Sequence, residues 1–536
     1  MEELLASMTT EQKVGQLFMV YFTDPYFSPA LEQMISEYHV GGIIIFARNV
    51  TNLSDLARLI NDAQNAATNA EPGVPLLVAA DQEGGHVSRL REGGTIFPSN
   101  MAVGATGSVA DAQLMASIMA TEMKAVGINM NLAPVMDVNS NPANPIIGIR
   151  SFGSSPQLVS RLGTVMIEVY QAQGIIATAK HFPGHGDTSL DSHLSLPTIT
   201  HDLARLEAVE LVPFRAAIST GVDCIMTAHI SVPAVDPLPN RPATLSPPIL
   251  HGLLREQMGF EGLIATDSLG MRAITDGYDS ATAAALAFEA GADLLMFGDD
   301  PGHHPSEQRW AYDRVLELVE DGRVPMSRLD DAVRRILLLK ARRGILDWQP
   351  VAIDRILEEV GTAEHLAVAQ QVALDSITLV RDDERLLPLD SESSILVVYP
   401  RGQAALGWAL QGHGSNIRLR EVGIRPSWAE IEAVATEAQR VDVLVLGTLN
   451  VQRYPEQARL VEALHGEHTL ITVALRSPYD LLSYPQASTY LATYGQPAVS
   501  MEALAEVLFG LEAPRGRLPV ELPGLHAIGD GLLEFP

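Results

Sequence analysis

A fourteen-residue stretch, KHFPGHGDTSLDSH at 180–193, concentrates three histidines, two aspartates and a lysine. Side chains of these types either bind metal ions or move protons, and spacing separates the two uses. Helical zinc sites fix histidines four residues apart on one face. Pro183, Gly184 and Gly186 preclude a helix across this stretch, which leaves a loop-borne metal site as the lesser alternative; the expectation is no metal and no cofactor. Asp191-Ser192-His193 offers different chemistry. Residues two apart on an extended segment face the same side, which lets the Asp191 carboxylate bond the His193 imidazole. Such a bond fixes the tautomer and stabilises the charged ring, as a general acid/base requires. His185, Asp187 and Ser189 read equally well as solvated residues of a glycine-rich turn.

The other chemistry-bearing residues follow short apolar runs. Asp81 follows PLLVAAD (75–81), and Asp137 closes INMNLAPVMDV (128–138). Lys180 and His181 close IIATAKHF (175–182), and His229 closes DCIMTAHI (223–230). Asp267 falls in GLIATDSL (262–269), and Asp299 and Asp300 end ADLLMFGDD (292–300). Two further runs, GQLFMVYF (15–22) and GGIIIFA (41–47), bring the count to eight. Continuous apolar character predicts strands buried on both faces, as in a parallel sheet. Amphipathic segments such as DLARLIND and ATAAALAFEAGA lie between the runs. Eight strand–helix units in about 300 residues predict an α/β fold of the (β/α)8 barrel type, in which chemistry gathers at the carboxyl ends of the strands. An open doubly wound sheet is the rival, and the count of eight favours the barrel.

Past residue 345 the pattern changes. A helical connector is predicted over 346–385, then a smaller α/β sandwich domain over 386–536. Its strand candidates are SILVVYP (394–400), VDVLVLGTL (441–449) and TLITVAL (469–475). The barrel occupies 1–345.

Composition narrows the partners. With 36 Lys+Arg against 65 Asp+Glu, the chain carries a net charge of −29, which repels phosphate backbones and anionic lipid. No nucleic acid or membrane partner is expected, and a small neutral or weakly charged substrate is. One cysteine, Cys224, excludes an intrachain disulfide and reads as an inert core thiol. The N-terminus lacks the apolar core of a signal peptide, and no 18-residue apolar run appears. The expectation is a cytoplasmic protein, monomeric or homodimeric.

Several of these blocks together are familiar. KHFPGHGDTSLDSH resembles the mobile loop of the family 3 glycoside hydrolases, in their β-N-acetylglucosaminidase branch and two-domain form. DQEGGHVSRL (81–90), NLAPVMDV (131–138), NPIIGIRSFG (144–153), MTAHI (226–230), PATLSPPILHGLLRE (from Pro242) and GLIATDSLGM (262–271) resemble family blocks in family order. GRLPVELPG (516–524) resembles the end of the family's second domain.

The resemblance implies that Asp267 is the nucleophile of a retaining exo-β-N-acetylglucosaminidase and forms a covalent glycosyl-enzyme. It implies that His193 is the acid/base and Asp191 its orienting carboxylate, where most glycosidases use a second carboxylic acid. Asp81, Arg89, Arg150, Lys180 and His181 match positions that hold the sugar. Arg150 and Lys180 are also expected to keep Asp267 ionised, and the glycines of GHGD to act as hinges that let the loop close. An imidazole adds no negative charge near an incoming anion, so phosphorolysis stands beside hydrolysis as an alternative. A family 3 β-glucosidase-type enzyme is another, although such relatives generally draw a glutamate acid/base from the second domain. From a different class, a non-catalytic sugar-binding protein would not need Asp267, Asp191 and His193 together. Cell-wall recycling fragments are the implied substrates, with chitin-derived oligosaccharides or glycoconjugates as alternatives. One departure is His86, where family members commonly carry arginine; it removes a bidentate cation from the pocket's surroundings.

Overall fold

The computed structural model describes residues 2–536. Each of the eight apolar runs in the first 300 residues contains a strand: β1 (Phe18–Val20), β2 (Gly42–Ile45), β3 (Leu77–Ala80), β4 (Met130–Asn131), β5 (Ile176–Phe182), β6 (Cys224–Thr227), β7 (Leu263–Ala265) and β8 (Leu295–Met296). All are parallel, in the order β8-β1-β2-β3-β4-β5-β6-β7. An Ala265–Leu294 bridge closes the ring, with Thr266 N–H donating to the Leu294 carbonyl at 2.9 Å. Every residue of these strands is buried, because helices cover the outside and side chains fill the inside. The helices start where a short polar residue caps them: Asn52 before Leu53–Asn69, Ser155 before Pro156–Ala172 and Asp279 before Ser280–Ala290. No helix among the described residues is long and apolar enough to cross a membrane.

The second sheet comprises β9 (Thr378–Asp382), β10 (Ser394–Pro400), β11 (Asn416–Val422), β12 (Val443–Thr448), β13 (Leu470–Ala474) and β14 (Thr489–Ala492). Its order is β11-β10-β12-β13-β14-β9, parallel except for β9, which runs antiparallel to β14. Both faces are covered. Ile395 and Val397 point into one apolar cluster, and Leu396 and Val398 into another, as the two-residue period of a strand demands. The second cluster also contains Met101, Ala102, Ala105 and Ile149 from the barrel unit, so one face of the sandwich is buried against the barrel.

The sandwich begins earlier than the sequence pattern placed it. β9 lies inside the stretch read as a helical connector, directly after the helix Ala363–Ser376. That helix straddles the two units: Ala369 and Val372 join the barrel core, whereas Ala373 and Leu374 join the sandwich core. Helical periodicity masks the change at Ile377, where the chain becomes an edge strand.

Candidate active site

Two consecutive residues of β5 set the floor of a cavity at the carboxyl ends of the barrel strands. In a regular strand Lys180 and His181 would face opposite sides. The register of β5 against β6 shifts between Ala179 and Phe182, a bulge-like irregularity that brings both side chains to the cavity lining. Lys180 Nζ lies 2.7 Å from Asp81 Oδ1 and 2.7 Å from Glu83 Oε1. Arg89 donates to the other Asp81 oxygen at 2.8 Å. Arg150 grips Glu83 with two nitrogens, Nε at 2.9 Å and a terminal nitrogen at 2.8 Å. Three cations thus share two carboxylates. Burial alone would raise the Glu83 carboxyl, but Arg150 and Lys180 hold it well below its ordinary value. Burial would likewise neutralise Lys180, yet Asp81 and Glu83 raise its affinity for the proton.

Behind this floor, Asp137 orients His181. The His181 Nδ1 lies 2.7 Å from Asp137 Oδ2, and its Nε2 faces a terminal nitrogen of Arg150 at 3.3 Å. A guanidinium only donates, so Nε2 accepts and the ring proton sits on Nδ1. Asp137 also takes the His185 N–H at 2.6 Å.

Asp267 follows β7 by two residues and accepts the Ser268 N–H at 2.7 Å. Burial would raise its pKa; the imidazoles of His229 and His181, the Ser268 N–H and His193 together outweigh burial and hold the carboxyl ionised. This corrects the expectation that Arg150 and Lys180 keep Asp267 charged. Their charges are taken up by Glu83 and Asp81. His229 donates from Nε2 to the Ser268 carbonyl at 2.7 Å and so fixes the turn that carries Asp267. Ser268 in addition donates its hydroxyl to Asp300, a cavity-lining carboxyl that burial and the charge of Asp267 push up to about 6.

His193 lines the same cavity as Asp267. Its Nδ1 and its backbone N–H both lie 2.9 Å from Asp191 Oδ1, leaving Nε2 free. The Asp191 bond is the main cause of a pKa raised above the ordinary histidine value, with a further contribution from Asp267. Asp191 stands behind the ring.

The intervening glycines do a different job from the one expected. Gly184 has φ +126°, a conformation that side chains rarely adopt. At Gly186 a Cβ would stand 1.8 Å from the Val138 carbonyl oxygen. These residues permit close packing instead of serving as loose hinges. His185, read as a solvated turn residue, is buried, with Nδ1 2.9 Å from the Thr188 hydroxyl and Nε2 3.0 Å from the Ser192 hydroxyl. From Lys180 to Leu194 only Ser189, Leu190, His193 and Leu194 are exposed, so the solvent-facing part of the stretch is the tip that bears the dyad. Among the described residues no group of three or more His, Cys, Asp or Glu side chains converges as a metal site.

The cavity measures about 340 Å³. Asp267, His193, Asp81, Arg89, Arg150, Lys180 and His181 all line it. Sequence reasoning missed Glu83, whose signal was the need of two buried cations for a second carboxylate. It also missed Arg476, which follows β13 in the sandwich domain, lines the cavity and places a terminal nitrogen 3.1 Å from His86 Nε2. The position where an arginine was expected therefore does meet a guanidinium, supplied by the other domain.

A closed parallel barrel whose cavity brings together an ionised carboxylate, a carboxylate-held imidazole and a floor of ion pairs has the groups that cleavage of a glycosidic bond requires. Residues 9–339 match the glycosyl hydrolase family 3 N-terminal domain, and the chain belongs to that family of glycoside hydrolases. It is 32% identical over 588 residues to β-hexosaminidase A of Pseudoalteromonas piscicida, covering 96% of this chain and 97% of that one. It is 31% identical over 554 residues to a β-N-acetylglucosaminidase/β-glucosidase of Cellulomonas fimi, covering 96% and 94%. The solved structure of a family 3 β-N-acetylglucosaminidase from Paenibacillus sp. str. FPU-7 superposes with a TM-score of 0.90 at 39% identity, covering 97% of this chain and all of that one.

Proposed function

We propose that the protein is a retaining exo-β-N-acetylglucosaminidase that removes terminal β-linked N-acetylglucosamine, with cell-wall fragments as its substrates. The observation that carries this reading is that Asp267 and the Asp191-held His193 line one small cavity. In the first step the protonated His193 gives its Nε2 proton to the glycosidic oxygen as Asp267 attacks C1. The C1–O bond breaks, the protonated aglycone leaves, and the sugar is esterified to Asp267. In the second step neutral His193 takes a proton from water as its oxygen attacks C1, and the Asp267 carboxylate is released. Two displacements at C1 retain the β configuration. Lys180, Arg89, Arg150 and Asp81 hold the hydroxyls of the bound sugar, and His181 lines the pocket beside them. A volume of about 340 Å³ is at the small end of ligand sites, which suits a terminal residue better than a long chain.

A second reading, phosphorolysis, draws on the same site. Neutral His193 does not repel an anionic acceptor as a carboxylate would. The test is product analysis on an aryl N-acetyl-β-glucosaminide and its glucose counterpart, with and without phosphate, for the native enzyme and His193→Ala. Retained β product from the native enzyme, and loss of turnover with an intact fold in the variant, uphold the reading. An inverted product, or full activity without His193, rejects it.

A further inference from the structure

In a chain of net charge −29, an arginine that lines the cavity, Arg476, and a neighbouring one, Arg453, have no carboxylate partner. Arg476 and Arg453 each lack an acidic side chain within salt-bridge distance among the described residues. Arg476 makes a single side-chain hydrogen bond, to His86 Nε2 at 3.1 Å. Since a guanidinium only donates, that nitrogen accepts and His86 is uncharged. Burial and the neighbouring Arg476 and Arg150 push the His86 pKa down to about 3, in agreement. The imidazole therefore fixes Arg476 in place while leaving its charge unspent. Burial and the like charges of Arg150 and Arg453 also act against the Arg476 cation. Of its cationic neighbours, Arg150 is already committed to Glu83. A part-buried cation among other cations, with most of its donors free and facing a ligand cavity, is completed by an anion.

We infer that Arg476, seated on His86, is an oxyanion-binding element of the active site: a carboxylate or phosphate group docks there, at the barrel–sandwich junction. The inference rests on the sugar-cleaving reading and adds a ligand class to it. The oxyanion has two sources with one chemistry. It is either an acidic group on the departing aglycone or free inorganic phosphate acting as acceptor. In the latter case a phosphate oxygen forms the new bond to C1, the C1–O bond to Asp267 breaks, and its electron pair returns to the carboxylate.

The first measurement needs no turnover, and so stands apart from the choice of sugar. Inorganic phosphate is titrated into the native enzyme and into Arg476→Gln by calorimetry, at ionic strength matched with chloride. Saturable binding that the variant weakens about 10-fold or more is the expected result. Arg476→Lys, which keeps the charge but loses the two-nitrogen fork, should fall between them. It carries the test if Arg476→Gln does not fold, an affinity equal to native then counting against the site. Two kinetic arms assign the source. Loss of phosphate-dependent glycosyl phosphate formation in the variant marks the acceptor. Loss of a native preference for a 4-carboxyphenyl over a 4-carbamoylphenyl N-acetyl-β-glucosaminide, read as the ratio of kcat/KM values, marks the acidic aglycone. Native and Arg476→Gln enzymes that bind phosphate equally or not at all, with the same aglycone ratio, overturn the inference.

Discussion

In the proposed mechanism Asp191 acts through one oxygen, which holds both the backbone and the ring of His193. Because that bond is the main reason the His193 pKa is raised, it sets the basic limb of the pH–rate profile, where the acid of the first step is lost. Asp191→Asn removes the charge that favours the imidazolium, so the basic limb of kcat/KM should move to lower pH; a limb that stays in place would detach Asp191 from the titration. With Asp267 as the proposed nucleophile, whose pKa is lowered, the acidic limb should not move. Glu83 is a second residue with a sharp expectation. Its side chain is 1% exposed against a Lys180 side chain at 2%, and Arg150 shares it. Glu83→Gln leaves three cations, Lys180, Arg150 and Arg89, with the single carboxylate of Asp81, and chemical denaturation should show a loss of about 3–5 kcal/mol. A loss below 1 kcal/mol would mean that the floor rearranges. Residues at strand ends were legible in the sequence because their position in the fold follows from counting apolar runs. Glu83 and Arg476 were not. One looks like part of a turn, and the other is brought to the site by a domain that the local pattern cannot orient.

At the scale of elements, the eight barrel strands and β10, β12 and β13 were readable because they are buried on both faces and therefore continuously apolar. β11, NIRLREV, was not: it is an edge strand with polar, half-exposed positions. β9 was hidden by the helix that runs into it, and β14 is four residues long. The strand-five loop shows the same limit. Its glycines were visible, but whether a glycine bends or packs depends on what lies opposite. At Gly186 the Val138 carbonyl does, at 1.8 Å from any Cβ. Gly186→Ala should therefore displace the loop and, with it, the dyad at its tip. A shift of about 1 Å at the reacting groups costs on the order of 100-fold in rate, so kcat/KM should fall by about that much while circular dichroism stays native. Near-native kcat/KM would show that the tip is positioned independently of its base.

Across the whole molecule, the two units share buried surface as well as a cavity. Met101, Ala102, Ala105 and Ile149 of the barrel belong to the sandwich core. Backbone bonds cross as well, from Arg517 N–H to Ala105 at 2.9 Å and from Ser154 N–H to Pro519 at 3.1 Å. Ser99 donates to the Tyr494 carbonyl at 2.6 Å, and Asn139 to the Tyr479 hydroxyl at 3.1 Å. The chain segment bearing Tyr479 also bears Arg476, so the contact that joins the units holds a cavity residue in place. Separating them would expose the shared apolar cluster and strand buried polar groups at once, which couples their stabilities. Scanning calorimetry should accordingly give one cooperative transition, and Ala105→Asp, which puts a charge into the joint, should lower the melting temperature of the entire molecule. Two resolved transitions, with only the later-unfolding unit unaffected by Ala105→Asp, would mean that the sandwich rests against the barrel without being folded into it.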